Sequence, residues 1–149
     1  MEAIGTLKRE HRVVTQVCEA CRRELDRAET TGEIDATEID RFVEFFRFFA
    51  NACHDPKEED LLFTMLHHKG LAWEDEPLAG LVREHEEMGV ILDAASKWMP
   101  DVWRGDKAAT EPICRDLRAY TDLVLRHLAK EEEGIFVHAL DVQIGRAHV

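Results

Sequence analysis

Apolar positions recur at alternating three- and four-residue steps through four stretches of the chain, the mark of helices packed side by side in a left-handed bundle. In the first the row reads Ile4, Leu7, His11, Val14, Cys18, Cys21 and Leu25. The second carries a row at steps of four, Phe42, Phe46, Ala50, His54, Glu58, Leu62 and Leu66. The third gives Leu78, Leu81, His85, Met88, Leu92, Ala95 and Met99, and the fourth Ile113, Leu117, Tyr120, Val124, His127 and Glu131. No run of alternating β-branched residues competes for a strand reading. Turn residues punctuate the stretches: Thr30-Thr31-Gly32 closes the first and Gly70 the second. Pro77 suits the first turn of the third, where its missing N–H is not needed, while Pro100 and Gly134 read as stops for the third and fourth. The predicted helices are about 2–29, 36–69, 77–99 and 107–133, with a short, weakly patterned tail from Ile135 to Val149. The fold class is all-α, an antiparallel up-down-up-down four-helix bundle. Pro56 is expected to kink the second helix, and no repeat longer than the heptad is evident.

A length of 149 residues suits one domain with a single core. Lys plus Arg number 19 against 31 Asp plus Glu, a formal charge of −12, which argues against nucleic acid or an anionic membrane as partner. No stretch of apolar residues is long enough to span a bilayer, and Met1 to Glu10 lacks the pattern of a signal peptide, so the expected location is cytoplasmic. Four cysteines, Cys18, Cys21, Cys53 and Cys114, are too sparse for a disulfide scaffold and fit a reducing compartment. Cys18 and Cys21 form a C-x-x-C pair, but both fall on the first helix's seam with no second pair, so they read as core residues ahead of a zinc or redox site.

The seams carry the chemistry, because each helix places one histidine on the face that should be buried and two follow it one turn later with a glutamate. An antiparallel bundle sets side by side the residues equally distant from a shared turn. His11 lies 22 residues before a turn near Glu33 and His54 21 after it. Around Trp73 the offsets are 15 to Glu58 and 12 to His85, and around Arg104 they are 19 to His85 and 23 to His127. These mismatches stay within about one helical turn. One layer therefore gathers His11, His54, Glu58, His85, His127 and Glu131. Burying these groups without a partner would cost several kcal/mol per ionised group, and no Lys or Arg shares their seams. A multivalent cation resolves the conflict. Two octahedral ions offer about twelve positions. Two bridging glutamates, four histidines and one oxo or hydroxo bridge fill all but about two, which leaves room for dioxygen, peroxide or nitric oxide. Imidazole and carboxylate without thiolate suit iron, with manganese or zinc as substitutes.

At these residues the chain resembles the hemerythrin-like, or HHE cation-binding, family. The resemblance runs through Leu7-Lys8-Arg9-Glu10-His11, His54-Asp55-Pro56-Lys57-Glu58-Glu59-Asp60-Leu61-Leu62-Phe63, Glu84-His85-Glu86 and His127-Leu128-Ala129-Lys130-Glu131-Glu132-Glu133-Gly134-Ile135-Phe136. It implies a four-helix bundle around a non-haem di-iron centre, with His11, His54, His85 and His127 as terminal ligands and Glu58 and Glu131 as bridges. The oxygen-carrying members place two histidines one turn apart on the third helix, whereas here Leu81 and Gly89 flank His85 at that spacing. Neither can ligate, which puts reversible oxygen transport in doubt.

Two readings of function follow. One is a di-iron protein that binds or turns over dioxygen, peroxide or nitric oxide, with no catalytic residue assigned. The other is an oxygen- or iron-sensing or oxygen-storage module acting through a partner. The iron–sulfur repair relatives carry a cysteine-bearing segment before their first ligand, and ten residues precede His11 here, so that role is disfavoured. Ferritin-like Glu-x-x-His pairs are absent from the seams. Asp55 and Glu84 fall off the seams and are expected in solvent, with an extra ligand role as the alternative. Tyr120 reads as a core phenol whose hydroxyl needs a partner, with a redox or hydrogen-bonding role near the metals as the alternative. His67, His68, His138 and His148 read as surface residues. Phe45, Phe48 and Phe49 widen the second helix's apolar face, an edge of which could seat a second copy in a homodimer.

Overall fold

In a computed structural model the backbone is described for residues 2–139 and the side chains from Ile4 onward. Four long helices and no strand build the described residues. Helix α1 spans Glu2–Thr31 and ends where Gly32 takes a φ of 76°, a left-handed value open to a residue without a Cβ. Asp35 opens α2 (residues 36–68), its carboxylate accepting from the Glu38 N–H at 3.2 Å and satisfying one of the free donors of the first turn. Helix α3 spans Leu78–Ser96, and α4 covers residues 110–139. Each helix packs on two others, α1 and α3 both lying between α2 and α4. No described helix is long and apolar enough to cross a membrane.

Two boundaries and the course of α2 depart from the sequence reading. Pro100 does not stop α3, which ends at Ser96; it sits in the first turn of a short helix, Met99–Trp103, where no N–H is required of it. Gly134 does not stop α4. It keeps a helical backbone because Ile135, Phe136 and Ala139 beyond it are buried, and burying a large side chain gains about 1.5–3 kcal/mol against about 1 kcal/mol for a helical glycine. Residues 140–149, with His148, lie outside the described part, whereas His138 is exposed as expected.

The third departure lies around Pro56, where α2 widens instead of simply kinking. Phe46–His54 and Glu59–Phe63 are π-helical, and the Asp55 N–H reaches back five residues to the Ala50 carbonyl just ahead of the residue that has no N–H to give. This explains the row at steps of four. In an ideal α-helix each such step overshoots a turn by about 40°, so the five steps from Phe46 to Leu66 would carry the row about 200° round the axis. The wider turns absorb the overshoot, and Phe46, Ala50, His54, Glu58, Leu62 and Leu66 are all buried. Before the π-helical stretch the ordinary period returns: Ile39 and Val43 face the core and Phe42 is only half-buried.

The hydrophobic core is divided. One cluster includes Cys18, Leu25, Ile39, Phe46, Leu92, Leu117 and Val124, and a second includes Leu7, Leu62, Leu66, Leu81, Ile135 and Phe136. Along every helix the polar residues of the predicted layer fall between members of the two clusters, as His11 does between Leu7 and Val14. The core is thus two apolar plugs with a polar slab between them.

Candidate metal centre

All six residues of the predicted layer are buried, none more than 8% exposed. They converge in two sets whose nearest ligand-type atoms lie within 4.8 Å of one another: Glu58, His85, His127 and Glu131 in one, and His11, His54 and Glu58 in the other. The two carboxylates join the sets. Glu58 turns Oε2 to His11 Nε2 at 2.9 Å and His54 Nε2 at 3.4 Å, and Oε1 to His85 Nε2 at 3.2 Å and His127 Nε2 at 3.6 Å. Glu131 does the same, with Oε1 3.4 Å from His11 Nε2 and Oε2 3.2 Å from His127 Nε2.

Behind each imidazole stands a carboxylate from the neighbouring helix. His54 Nδ1 meets Glu10 at 2.8 Å, His85 Nδ1 meets Glu59 at 2.8 Å, His127 Nδ1 meets Glu84 at 2.9 Å and His11 Nδ1 meets Glu132 at 3.2 Å. Each helix thereby braces the histidine of the next, and the four contacts close a ring around the bundle. Lys57 and Lys130 donate to the free oxygens of Glu10 and Glu84, each at 2.6 Å. The pattern has an internal two-fold: Glu10-His11 with His54-x-x-Lys57-Glu58-Glu59 is repeated by Glu84-His85 with His127-x-x-Lys130-Glu131-Glu132. No long repeat is evident in the sequence, and of these outer glutamates only Glu84 is singled out there, as a solvent residue or an extra ligand. Their signal was available in the paired spacings, 43 residues from His11 to His54 and 42 from His85 to His127.

The outer carboxylates fix the inner chemistry. An imidazole that donates through Nδ1 presents the lone pair of Nε2, and here those lone pairs face carboxylate oxygens, acceptor against acceptor. Among the described residues His54 Nε2, His85 Nε2, His127 Nε2, Glu58 Oε1 and both Glu131 oxygens are buried without a hydrogen-bond partner. Buried polar atoms left in this state are rare because each costs about 1–3 kcal/mol. With cation absent, protons must take its place. Burial opposes charge on Glu58, yet the neighbouring Glu131 carboxyl and the His11, His127 and His54 imidazoles hold its pKa well below the usual carboxylate range. Burial and the Glu58 charge push Glu131 well above that range, so one of the two carboxyls carries the proton. Burial would lower His85, but its contacts with Glu58 and Glu59 override that and raise it to about 10. A cation that meets the lone pairs on Nε2 and the carboxylate charges together satisfies every orphaned atom, so the donor set fits a bound metal.

Other residues divide more plainly. Asp55, expected in solvent, is buried, because α2 turns it inward beside His54, and its Oδ1 lies 3.6 Å from His85 Nε2. Burial raises its pKa, with His85 pulling the other way. Glu84 is half-buried and braces His127 from outside. Tyr120 is a core phenol whose O–H donates to Asn51 Oδ1 at 2.9 Å. Cys18 and Cys21 are buried in the upper apolar cluster and Cys53 is exposed. His67 and His68 are exposed at the end of α2. Phe45 stacks on Phe49 with ring centroids 5.0 Å apart, and Phe48 points to solvent.

Comparison with curated proteins and with solved structures returns no match. The family model of the hemerythrin HHE cation-binding domain matches residues 2–139, which takes in all four helices and every residue of the buried layer. With one buried histidine per helix and two His-x-x-x-Glu pairs meeting in a cation-ready slab, the chain belongs to the hemerythrin family of HHE cation-binding domains.

Proposed function

We propose that the layer holds two non-haem iron ions and that the protein reacts with a small oxidant or diatomic molecule: dioxygen, peroxide or nitric oxide. His11 and His54 would hold one ion, His85 and His127 the other, and Glu58 and Glu131 would bridge them. The observation that carries this reading is the division of each glutamate between two histidine pairs, one oxygen to each. A single ion would leave half of these oxygens unused. Imidazole with carboxylate and no thiolate favours iron, and a pair of such ions would supply redox chemistry toward a small molecule.

The protein's own residues orient and seal the site. Glu10, Glu59, Glu84 and Glu132 hold the imidazole planes and keep Nδ1 protonated. The apolar clusters above and below exclude bulk water from the slab. A groove of about 650 Å³ between α1 and α4, lined by Lys8, His11, Arg12, Gln16 and Leu128, brings solvent to the edge of His11, which suits access by small molecules. To test the reading, the protein is loaded with ferrous iron without oxygen, and its absorption spectrum is followed after dioxygen, hydrogen peroxide or nitric oxide is added. A new visible or near-ultraviolet band with at least one of them is expected; an unchanged spectrum with all three overturns the reading.

A further inference from the structure

The internal two-fold of the site is broken at one buried position. Superposing the motif of α2 on that of α4 pairs His54 with His127, Lys57 with Lys130, Glu58 with Glu131 and Glu59 with Glu132. The same register pairs Asp55 with Leu128. Both residues are buried, at 8% and 6% exposure, and each lies by the histidine of a neighbouring helix: Asp55 Oδ1 is 3.6 Å from His85 Nε2, while Leu128 shares the lining of the α1/α4 groove with His11. An apolar residue at such a place needs no explanation. A carboxylate does: the Asp55 side chain is largely buried, and the ion-pair contact it makes there is with His85.

Asp55 is aimed at the set formed by Glu58, His85, His127 and Glu131, although its oxygen touches that set through His85 alone. On this side α3 offers no second histidine, since Leu81 and Gly89 stand one turn either side of His85. Resting on the two-iron reading above, we propose that Asp55 is a further metal ligand, an oxygen donor to the ion held by His85 and His127 and to no other. The two ions are then unequal. The first would have two imidazoles and three carboxylates around it; the second, held by His11 and His54, would have Leu128 where the first has Asp55.

The experiment compares wild-type protein with Asp55→Leu, which copies the other half of the motif, and Leu128→Asp, which copies this half. Each is loaded anaerobically with ⁵⁷Fe(II), and its iron content, Mössbauer spectrum and rate of iron release to a chelator are measured. Wild type is expected to show two quadrupole doublets of equal area, and to release one iron about tenfold more slowly than the other. In Asp55→Leu the doublets should converge and the slow phase of release should disappear. Leu128→Asp should also bring the doublets together, by supplying the missing oxygen beside His11. If Asp55→Leu does not fold, Asp55→Asn, which keeps the shape and removes the charge, should show the same convergence in part. Two irons in wild type, with Asp55→Leu or Asp55→Asn giving the wild-type spectrum and release rates, would overturn the role of Asp55 and leave the iron pair standing. Fewer than two irons in wild type would overturn both.

Discussion

Removing the cation should cost the bundle a large part of its stability. The perturbation is chelation of the loaded protein, which strips the partner from six buried atoms, namely His54 Nε2, His85 Nε2, His127 Nε2, Glu58 Oε1 and both oxygens of Glu131. An orphaned buried polar atom costs about 1–3 kcal/mol. Protons shared between Glu58, Glu131 and the imidazoles relieve part of this, so the lower end applies and the sum is about 6 kcal/mol. A whole domain is stable by about 5–15 kcal/mol, so the loss is a large share of the total. At this chain length each kcal/mol moves the melting temperature by about 2–4 °C, which puts the expected fall at about 12 °C or more. The assay is thermal unfolding followed by circular dichroism for the loaded, chelated and iron-reconstituted protein. Recovery on adding iron back separates linkage from damage, and the melting temperature of the loaded form should rise with free metal. A chelated form melting within about 3 °C of the loaded one would refute the reasoning, because six orphans at the lowest cost predict more than that.

Four further outcomes follow from the same geometry. Glu58→Gln or Glu131→Gln should lose metal from both positions, since each carboxylate faces both histidine pairs, whereas His85→Ala should keep the bridges and bind both ions more weakly at one position only; metal analysis after gel filtration decides. Glu10→Gln or Glu84→Gln, which weakens the brace behind His54 or His127, should lower metal affinity by about 10–100-fold without unfolding the chain, measured by competition with a chelator of known affinity. Burial raises the Cys18 thiol to about 12 and the Cys114 thiol to about 11 and pushes Cys21 up as well, so at pH 8 an alkylating reagent should label the exposed Cys53 alone, with one adduct by mass spectrometry. Tyr120→Phe removes the bond to Asn51 and should cost about 1 kcal/mol in denaturant unfolding while leaving metal content unchanged.

The buried layer was readable in the sequence because the three- and four-residue period that marks a core-facing seam does not depend on whether the seam residue is leucine or histidine. His11, His85 and His127 occupy places where an aliphatic side chain would be expected, and equal distance from the turns set them at one depth. What periodicity could not give was the burial of Asp55 beside the row on α2. Asp55 follows a buried histidine, and an ideal helix that buries position 54 is not required to bury 55; the π-helical turn ahead of Pro56 decides it, and that turn depends on hydrogen bonds reaching five residues back. The unbroken row at steps of four was its trace in the sequence, since an α-helix cannot keep such a row on one face for six members. Gly134 was misread for a related reason: a glycine stops a helix when it takes a left-handed backbone, as Gly32 does, and the apolar residues beyond Gly134 hold it helical instead. Glu10, Glu59, Glu84 and Glu132 looked like ordinary surface charge, because bracing an imidazole from outside leaves a residue on the rim of the bundle.

If Glu58 and Glu131 are each shared between two cation positions in one buried layer, the chain takes up two ions together. Anaerobic titration of the metal-free protein with ferrous iron, followed by absorbance or fluorescence and checked by elemental analysis, tests it most directly. The expected result is a break at two equivalents per chain and a single break, at the same two equivalents, in the melting temperature. A break at one equivalent per chain, with the second iron removed by gel filtration, would contradict it.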